Sequence, residues 1–287
     1  MSIEIPFTKM HGLGNCYVYI DLVSQLIDIP SYSDLAVKAA DAHTGIGSDG
    51  LILIVPSNRA DIMMRIFNKD GSEGKNCGNG LRCVAKYAYE HGLVNRKSFK
   101  IETLSGVVDA EVHLKDGQVD LVTIDMGKPV LDRKRIPMKG GDQEKVIDEP
   151  ISFNDQTFNI TAVSMGNPHG LFFVEKIDEA PIHELGPFLA DHHPAFPEGL
   201  NVGFIEKIAN DAIEYRVWER GSGMTQACGT GACAAVAASV LTGRLSMDET
   251  NTVHLAGGDL YIKWLSDSQH VLMTGGATTI CKGIFYL

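Results

Sequence analysis

Two short cysteine-bearing stretches hold the residues of this sequence best suited to chemistry. Asp70-Gly-Ser-Glu-Gly-Lys-Asn-Cys77-Gly-Asn-Gly-Leu-Arg-Cys83 is echoed by Arg220-Gly-Ser-Gly-Met-Thr-Gln-Ala-Cys228-Gly-Thr-Gly-Ala-Cys233. In each copy a Gly-Ser turn leads into Cys-Gly-polar-Gly, and a run of good helix formers follows, over residues 81–91 and 232–241. Each cysteine is thereby placed where a loop becomes a helix, beside first-turn N–H groups and the positive end of the helix dipole. That setting favours a thiolate and attracts an anionic ligand, and it can lower a thiol pKa from about 8.5 to between roughly 3.5 and 7.5. Cys77 and Cys228 are therefore candidates for acid–base or nucleophilic work.

Two like groups presented to one substrate from opposite sides suit the inversion of a stereocentre. One acts as base on one face of the carbon and the other returns a proton on the opposite face, and the roles exchange when the reaction runs backwards. A carbanion beside a carboxylate needs its charge spread, and the sequence offers the N–H groups of Gly78-Asn79-Gly80 and of Gly229-Thr230-Gly231 at the two helix starts. A helix terminus contributes about 0.3–2 kcal/mol to a nearby charge, so exclusion of water has to supply much of the rest. The other cysteines read as packing residues, Cys83 and Cys233 inside helices among apolar neighbours and Cys16 and Cys281 in strand-like settings.

The elements that position these thiols follow from the local patterns. Lys9-Met-His-Gly-Leu-Gly-Asn15 is a turn between strands, and Ser33-Asp34 caps a helix running to about His43. A loop over residues 44–50 feeds buried strands at 51–55 and 62–67, and Asn68-Lys-Asp-Gly71 turns the chain toward Cys77. Apolar and polar residues alternate over 107–113 and 119–126 around Asp116-Gly117, a hairpin signal that closes the first half. Residues 127–150, rich in Gly, Pro and charge, suit a linker or long loop. The order then repeats. Strands near 158–163 lead to Ser164-Met-Gly-Asn167-Pro-His169, a strand at 171–174, a helix near 182–191, the segment 200–205 and a strand at 213–218 that runs into Glu219-Arg220. Asn15 precedes Cys77 by 62 residues and Asn167 precedes Cys228 by 61. The spacing predicts two similar α/β halves related by a pseudo-two-fold axis, with Cys77 and Cys228 on opposite sides of a cleft between them.

Whole-chain properties narrow the function classes. A length of 287 residues accommodates two domains, and 44% apolar with 21% charged residues is ordinary globular composition. The net charge is −11 and no Lys/Arg run provides a footprint for a phosphate backbone, so nucleic acid is not expected as a partner. No apolar stretch reaches the roughly 18 residues of a membrane helix, and the N-terminus lacks a basic segment followed by an apolar one. The expectation is a cytoplasmic protein with no membrane contact. Six cysteines are too few for a disulfide scaffold, and their Cys-x5-Cys and Cys-x4-Cys spacings lack the pairs of a zinc site, so no metal is expected.

The chain resembles the diaminopimelate epimerases, within the cofactor-independent amino-acid racemases, almost from end to end. The carriers are Lys9-Met-His-Gly-Leu-Gly-Asn15, Arg65-Ile-Phe-Asn68, Asp70-Gly-Ser-Glu73, Cys77-Gly-Asn-Gly80, Ser164-Met-Gly-Asn-Pro-His169, Leu185-Gly-Pro187, Asn201-Val202, Arg216-Val-Trp-Glu-Arg-Gly221 and Ala227-Cys-Gly-Thr-Gly-Ala-Cys233. The resemblance implies an α/β (α+β) fold of two pseudo-symmetric domains, each a mixed, mainly antiparallel sheet wrapped around a central helix, with the active site in the cleft between them. The implied division is residues 1–127 plus a C-terminal strand at about 276–287, and residues 128–275. It further implies interconversion of LL- and meso-diaminopimelate without pyridoxal phosphate, other cofactor or metal, on the route to lysine and peptidoglycan cross-links, by a homodimer. By matching positions Cys77 and Cys228 are the acid–base pair, and Gly78, Asn79, Gly229 and Thr230 hold the reacting carboxylate. Asn15, Asn68, Asn167, Asn201 and Arg220 bind the substrate with the Glu219 backbone nearby, and His169 and Glu219 tune the thiols. An unreacted amino-acid end calls for amides and a bidentate cation of this kind.

Met224 stands where many members have Glu, Cys16 where Asp is frequent, Ala256 where Pro is common, and Cys281 where some relatives have a Tyr at the dimer contact. Two rivals are a racemase of proline, hydroxyproline or histidine, and a thiol redox sensor or non-catalytic amino-acid-binding protein. Arg220 and the asparagines weigh against the first, since a substrate without a distal amino-acid group leaves each of them unpaired at about 1–3 kcal/mol. The matched cysteines and cradles weigh against the second, because a sensor needs neither pair.

Overall fold

The computed structural model describes residues 3–75, 77–141, 143–154, 156–191 and 193–287. Its backbone contacts divide the chain into two units, Met1–Asp125 with Thr274–Leu287, and Met126–Met273. The first contains β1 (Glu4–Gly12), β2 (Asn15–Asp21), α1 (Tyr32–Ala40), β3 (Gly50–Val55), β4 (Ile62–Asn68), β5 (Glu73–Gly74), α2 (Gly78–Glu90), β6 (Ser98–Thr103), β7 (Gly106–Lys115) and β8 (Gln118–Asp125). In the second lie β9 (Glu149–Phe153), β10 (Gln156–Ser164), β11 (Pro168–Val174), α3 (Ile182–Asp191), β12 (Asn201–Ala209), β13 (Ala212–Glu219), β14 (Gly223–Met224), α4 (Gly229–Leu241), β15 (Asn251–Leu255) and β16 (Gly258–Trp264). The chain leaves the second unit within β17 (Val271–Gly276) and ends on β18 (Thr278–Tyr286) in the first.

The two units repeat one order of pairings. In the first, β1–β2 is antiparallel, β2–β3 parallel, β3–β4 and β4–β5 antiparallel, β4–β6 parallel and β6–β7 antiparallel. The second reproduces this as β10–β11, β11–β12, β12–β13, β13–β14, β13–β15 and β15–β16, with parallel pairs at the same two places. Even the flanking strands correspond, for β18 pairs with β1 and β9 with β10, both antiparallel. The fold is thus a mixed, mainly antiparallel α/β architecture, as expected.

In each unit the strands pack on one helix. α2 packs on β1, β2, β7 and β8, and α4 on β10, β11, β12, β13, β15 and β16. α4 has no polar face to give to water: its residues from Gly229 to Ser239 are buried save Thr230, as a helix apolar all round requires. On the other face of the first sheet, Leu35 and Ala36 of α1 join Ile5, Val18, Ile20, Leu51, Leu53 and Phe67 in a core, and β3 is buried along nearly its whole length because both of its faces are covered. Leu185 and Leu189 of α3 play the same part against Ile160, Phe172 and Phe204 in the second unit.

Two local expectations are corrected. Ser31, not Ser33, caps α1 by accepting the Asp34 N–H, while the Ser33 hydroxyl donates to the Gly71 carbonyl, and the helix stops at Ala40 because the Asp41 side chain turns the chain by accepting from His43 and Thr44. Nor are residues 127–150 a free linker. Val130 bridges Ser164, and Ile136, Met138 and Val146 are buried in the core of the second unit.

Candidate active site

Cys77 and Cys228 are the N-cap residues of α2 and α4, both in extended backbone conformation. In each, the sulphur accepts the N–H of the residue three positions on, Gly80 or Gly231, at 3.4 Å. The third N–H of each cradle is therefore spent on the cap, the Asn79 N–H also points at the Cys77 sulphur, and the N–H groups of Gly78, Gly229 and Thr230 stand in the first turns of the two helices. The glycines at the third position are needed for space as much as for approach. A Cβ at Gly231 would lie 2.5 Å from the Tyr215 hydroxyl and one at Gly80 would lie 2.6 Å from Ile52 Cδ1.

Around Cys77 the first unit gathers Asn15, Asn79, Tyr17 and Arg82. The sulphur lies 3.8 Å from Asn15 Oδ1, and the Asn79 amide donates to the same oxygen at 3.4 Å. Burial pushes the Cys77 thiol up, against the Gly80 N–H, the Tyr17 hydroxyl and the Arg82 cation, which pull it down. Asn68, at the exposed end of β4, has its amide on the Ser72 hydroxyl at 3.0 Å. Around Cys228 the second unit gathers Thr230, at 3.4 Å, and the Glu219 carboxylate, which is held by the Thr225 hydroxyl at 2.5 Å. Burial and the Glu219 charge together push Cys228 well above the ordinary thiol value, with Thr230 and the Gly231 N–H opposing. The sequence-based expectation of lowered thiol pKa values is thus corrected: loss of water outweighs the helix start at both cysteines. Cys77, with a cation and three donors against its burial, is the easier of the two to ionise.

The substrate-binding candidates of the second unit meet around β11 and β12. His169 pairs with Asn201 in parallel register, and Asn201 Oδ1 accepts the Arg220 backbone N–H at 2.9 Å. The Arg220 guanidinium donates to the Glu198 carbonyl. His169 is fully buried, with Nε2 at 3.1 Å from Asn167 Oδ1 and no partner for Nδ1 among the described residues. Burial, helped by the nearby Arg220 charge, lowers its pKa to about 3, so it is neutral at any ordinary pH.

Several residues escaped the sequence reading. Arg82 is fully buried, Asp49 holds the Asn15 amide at 2.9 Å, and Tyr17 lies on Cys77. The signals were faint: a cation among apolar residues early in a helix that carries a second one, Lys86, and an aspartate in a glycine-rich loop. No helix among the described residues is long and apolar enough to cross a membrane, and none of their His, Cys, Asp and Glu side chains cluster as a metal site.

Solved structures share this fold. A hydroxyproline epimerase from Agrobacterium vitis aligns over 99% of this chain and 93% of its own with a TM-score of 0.70 at 17% identity. A PhzF-family phenazine biosynthesis protein from Bacillus anthracis aligns over 99% of both chains with a TM-score of 0.72 at 18% identity. The fold is therefore that of the racemase and PhzF-type proteins. Sequence narrows it further. The family model described as diaminopimelate epimerase matches residues 7–131 and 161–280. A diaminopimelate epimerase of Geobacillus kaustophilus is 58% identical over 283 residues, 99% of this chain and 97% of that one, and one of Bacillus subtilis is 55% identical over 281 residues, 98% of each. The chain belongs to the diaminopimelate epimerase family, and it is an enzyme, an isomerase.

Proposed function

We propose that this epimerase interconverts LL- and meso-diaminopimelate by two-base proton transfer between Cys77 and Cys228, needing neither cofactor nor metal. The observation that carries the reading is the matched pair of thiol caps, each at the start of a buried helix with two further N–H groups at the same end. One sulphur, as thiolate, takes the α-proton from one face and becomes a thiol. The other, as thiol, gives its proton to the opposite face and becomes the thiolate, so the pair ends exchanged and the charge balances. Gly78, Asn79, Gly229 and Thr230 receive the reacting carboxylate at two helix N-termini. Asn15, Asn68, Asn167, Asn201 and Arg220 receive the unreacted end, with Glu219 and His169 setting the environment of Cys228; the Arg220–Asn201 bond and the Asn167–His169 contact support this grouping. The reading needs the two units to close on one substrate. It also carries a cytoplasmic homodimer supplying lysine and peptidoglycan synthesis, the dimer being supported by the exposed apolar residues Ile280, Ile284 and Tyr286 on β18.

Incubation of the reduced protein with LL-diaminopimelate in D2O, followed by NMR, tests it. Deuterium at the inverted α-carbon and a meso product are expected, with both lost in Cys77→Ala and in Cys228→Ala. Epimerisation that survived removal of both thiols would end the two-cysteine mechanism, and the absence of any exchange by folded wild-type protein would end the substrate assignment.

A further inference from the structure

Four side chains of the first unit form one hydrogen-bonded string with a charge at each end. Arg82 donates from its guanidinium to Asn79 Oδ1 at 3.0 Å and from Nε to the Gly276 carbonyl at 3.2 Å. Asn79 Nδ2 donates to Asn15 Oδ1 at 3.4 Å, and Asn15 Nδ2 donates to Asp49 Oδ2 at 2.9 Å. That same carboxylate oxygen accepts the Cys16 backbone N–H at 2.8 Å, and the Asp49 N–H returns to the Cys16 carbonyl at 2.8 Å. A side-chain amide between neutral neighbours can be reversed end for end. A cation at one end and a carboxylate at the other remove that freedom, since reversal would turn an NH2 toward the guanidinium or an oxygen toward the carboxylate. The string runs from the exposed Asp49 to the fully buried Arg82, and the Cys77 sulphur rests on its middle, at Asn15 Oδ1. The second unit differs at both places: Thr230 stands two residues after Cys228 where Asn79 follows Cys77, and the buried Cys233 stands five residues after where Arg82 does.

We propose that Arg82 and Asp49 are positioning residues for Cys77, fixing the Asn79 and Asn15 amides head to tail so that the oxygen of Asn15 stays on the sulphur. For its rate measurement the inference rests on the epimerase reading; for its thiol measurement it does not.

The test is a cycle of Asp49→Asn, Arg82→Lys and the double variant in the full chain. Each protein is assayed for α-hydrogen exchange of LL-diaminopimelate in D2O and for the pH dependence of iodoacetamide alkylation at Cys77, read by peptide mass spectrometry. Each single change should lower kcat by about tenfold or more with a smaller change in KM, as a misplaced catalytic group does. The double variant should be no slower than the worse single, because breaking either end frees the same two amides. The alkylation midpoint of Cys77 should move in both singles and that of Cys228 in neither. Multiplying losses, the mark of two independent sites, or an unmoved Cys77 midpoint would overturn the proposal. Asp49 is exposed, so Asp49→Asn keeps the test decisive should Arg82→Lys fail to fold. A wild type without epimerase activity but with the expected alkylation shifts would overturn the substrate reading and leave this one standing.

Discussion

Cys77 and Cys228 both give up water when the chain folds, and neither regains all of it from the N–H group it caps. Glu219 makes the loss greater at Cys228, because a second negative charge there has a carboxylate for a neighbour. Glu219→Gln should therefore lower the pH midpoint for alkylation of Cys228 and leave that of Cys77 in place; equal midpoints in wild type and variant would remove Glu219 from the account. His169 carries the opposite sign. Its folded pKa of about 3 lies below that of an unfolded histidine, so the unfolded chain binds the extra proton over the interval between them. Stability from this group is complete above about pH 6.5 and falls on acidification by up to about 1.4 kcal/mol per pH unit. Urea midpoints at pH 7.5 and 5 should show that loss in the wild type and a smaller one in His169→Gln. The cysteines were legible in the sequence because their loop occurs twice and repetition at one spacing singles out both copies. Arg82, Asp49 and Tyr17 stood out less: Asp49 matters through Asn15 and Tyr17 through Cys77, both far away in sequence, and Arg82, three residues from Asn79, shows its place only once the fold buries it with its Nε on the Gly276 carbonyl.

Among the elements, the two cysteine-capped helices share a plan but sit in different packing. Gly80 faces the tip of Ile52, a terminal methyl that can rotate aside, whereas Gly231 faces the ring and hydroxyl of the buried Tyr215. Gly231→Ala should accordingly cost about 1–3 kcal/mol through overpacking, and Gly80→Ala distinctly less; thermal unfolding of the two variants measures the difference. Element types were readable where the pattern is periodic or the turn chemistry strong. At the Asp116-Gly117 hairpin both residues have positive φ, 53° and 80°, as the dipeptide foretells. The start of α1 was misread because Ser31 and Ser33 are both competent caps, and only the Ser33–Gly71 bond, which spans 38 residues, decides between them. Residues 127–150 look like a linker by composition, yet they place Ile136, Met138 and Val146 at the spacing of a packed segment without any period to reveal it.

At the scale of the molecule, the repeated pairing order accounts for why the two units each present a cysteine-capped helix start. The same repetition leaves β18 with an apolar, exposed strip, Ile280 and Ile284 each 49% exposed and Tyr286 61%, of the sort that a second copy covers. If the proposed homodimer forms through this strip, Ile280→Lys with Ile284→Lys should lower the sedimenting mass to that of one chain, and a dimeric mass in the variant would take β18 out of that proposal. β18 has one more role. Its register sets Glu4 against Tyr286, and Ile3 and Leu287 exchange backbone hydrogen bonds at 3.0 and 2.9 Å. The second unit is continuous in sequence, whereas the first is assembled from both ends of the chain. On the ribosome, then, the half bearing Cys228 can fold as it emerges, while the half bearing Cys77 keeps the outer edge of β1 open until β18 has been made. A circular permutant that joins residues 3 and 287 would remove that delay.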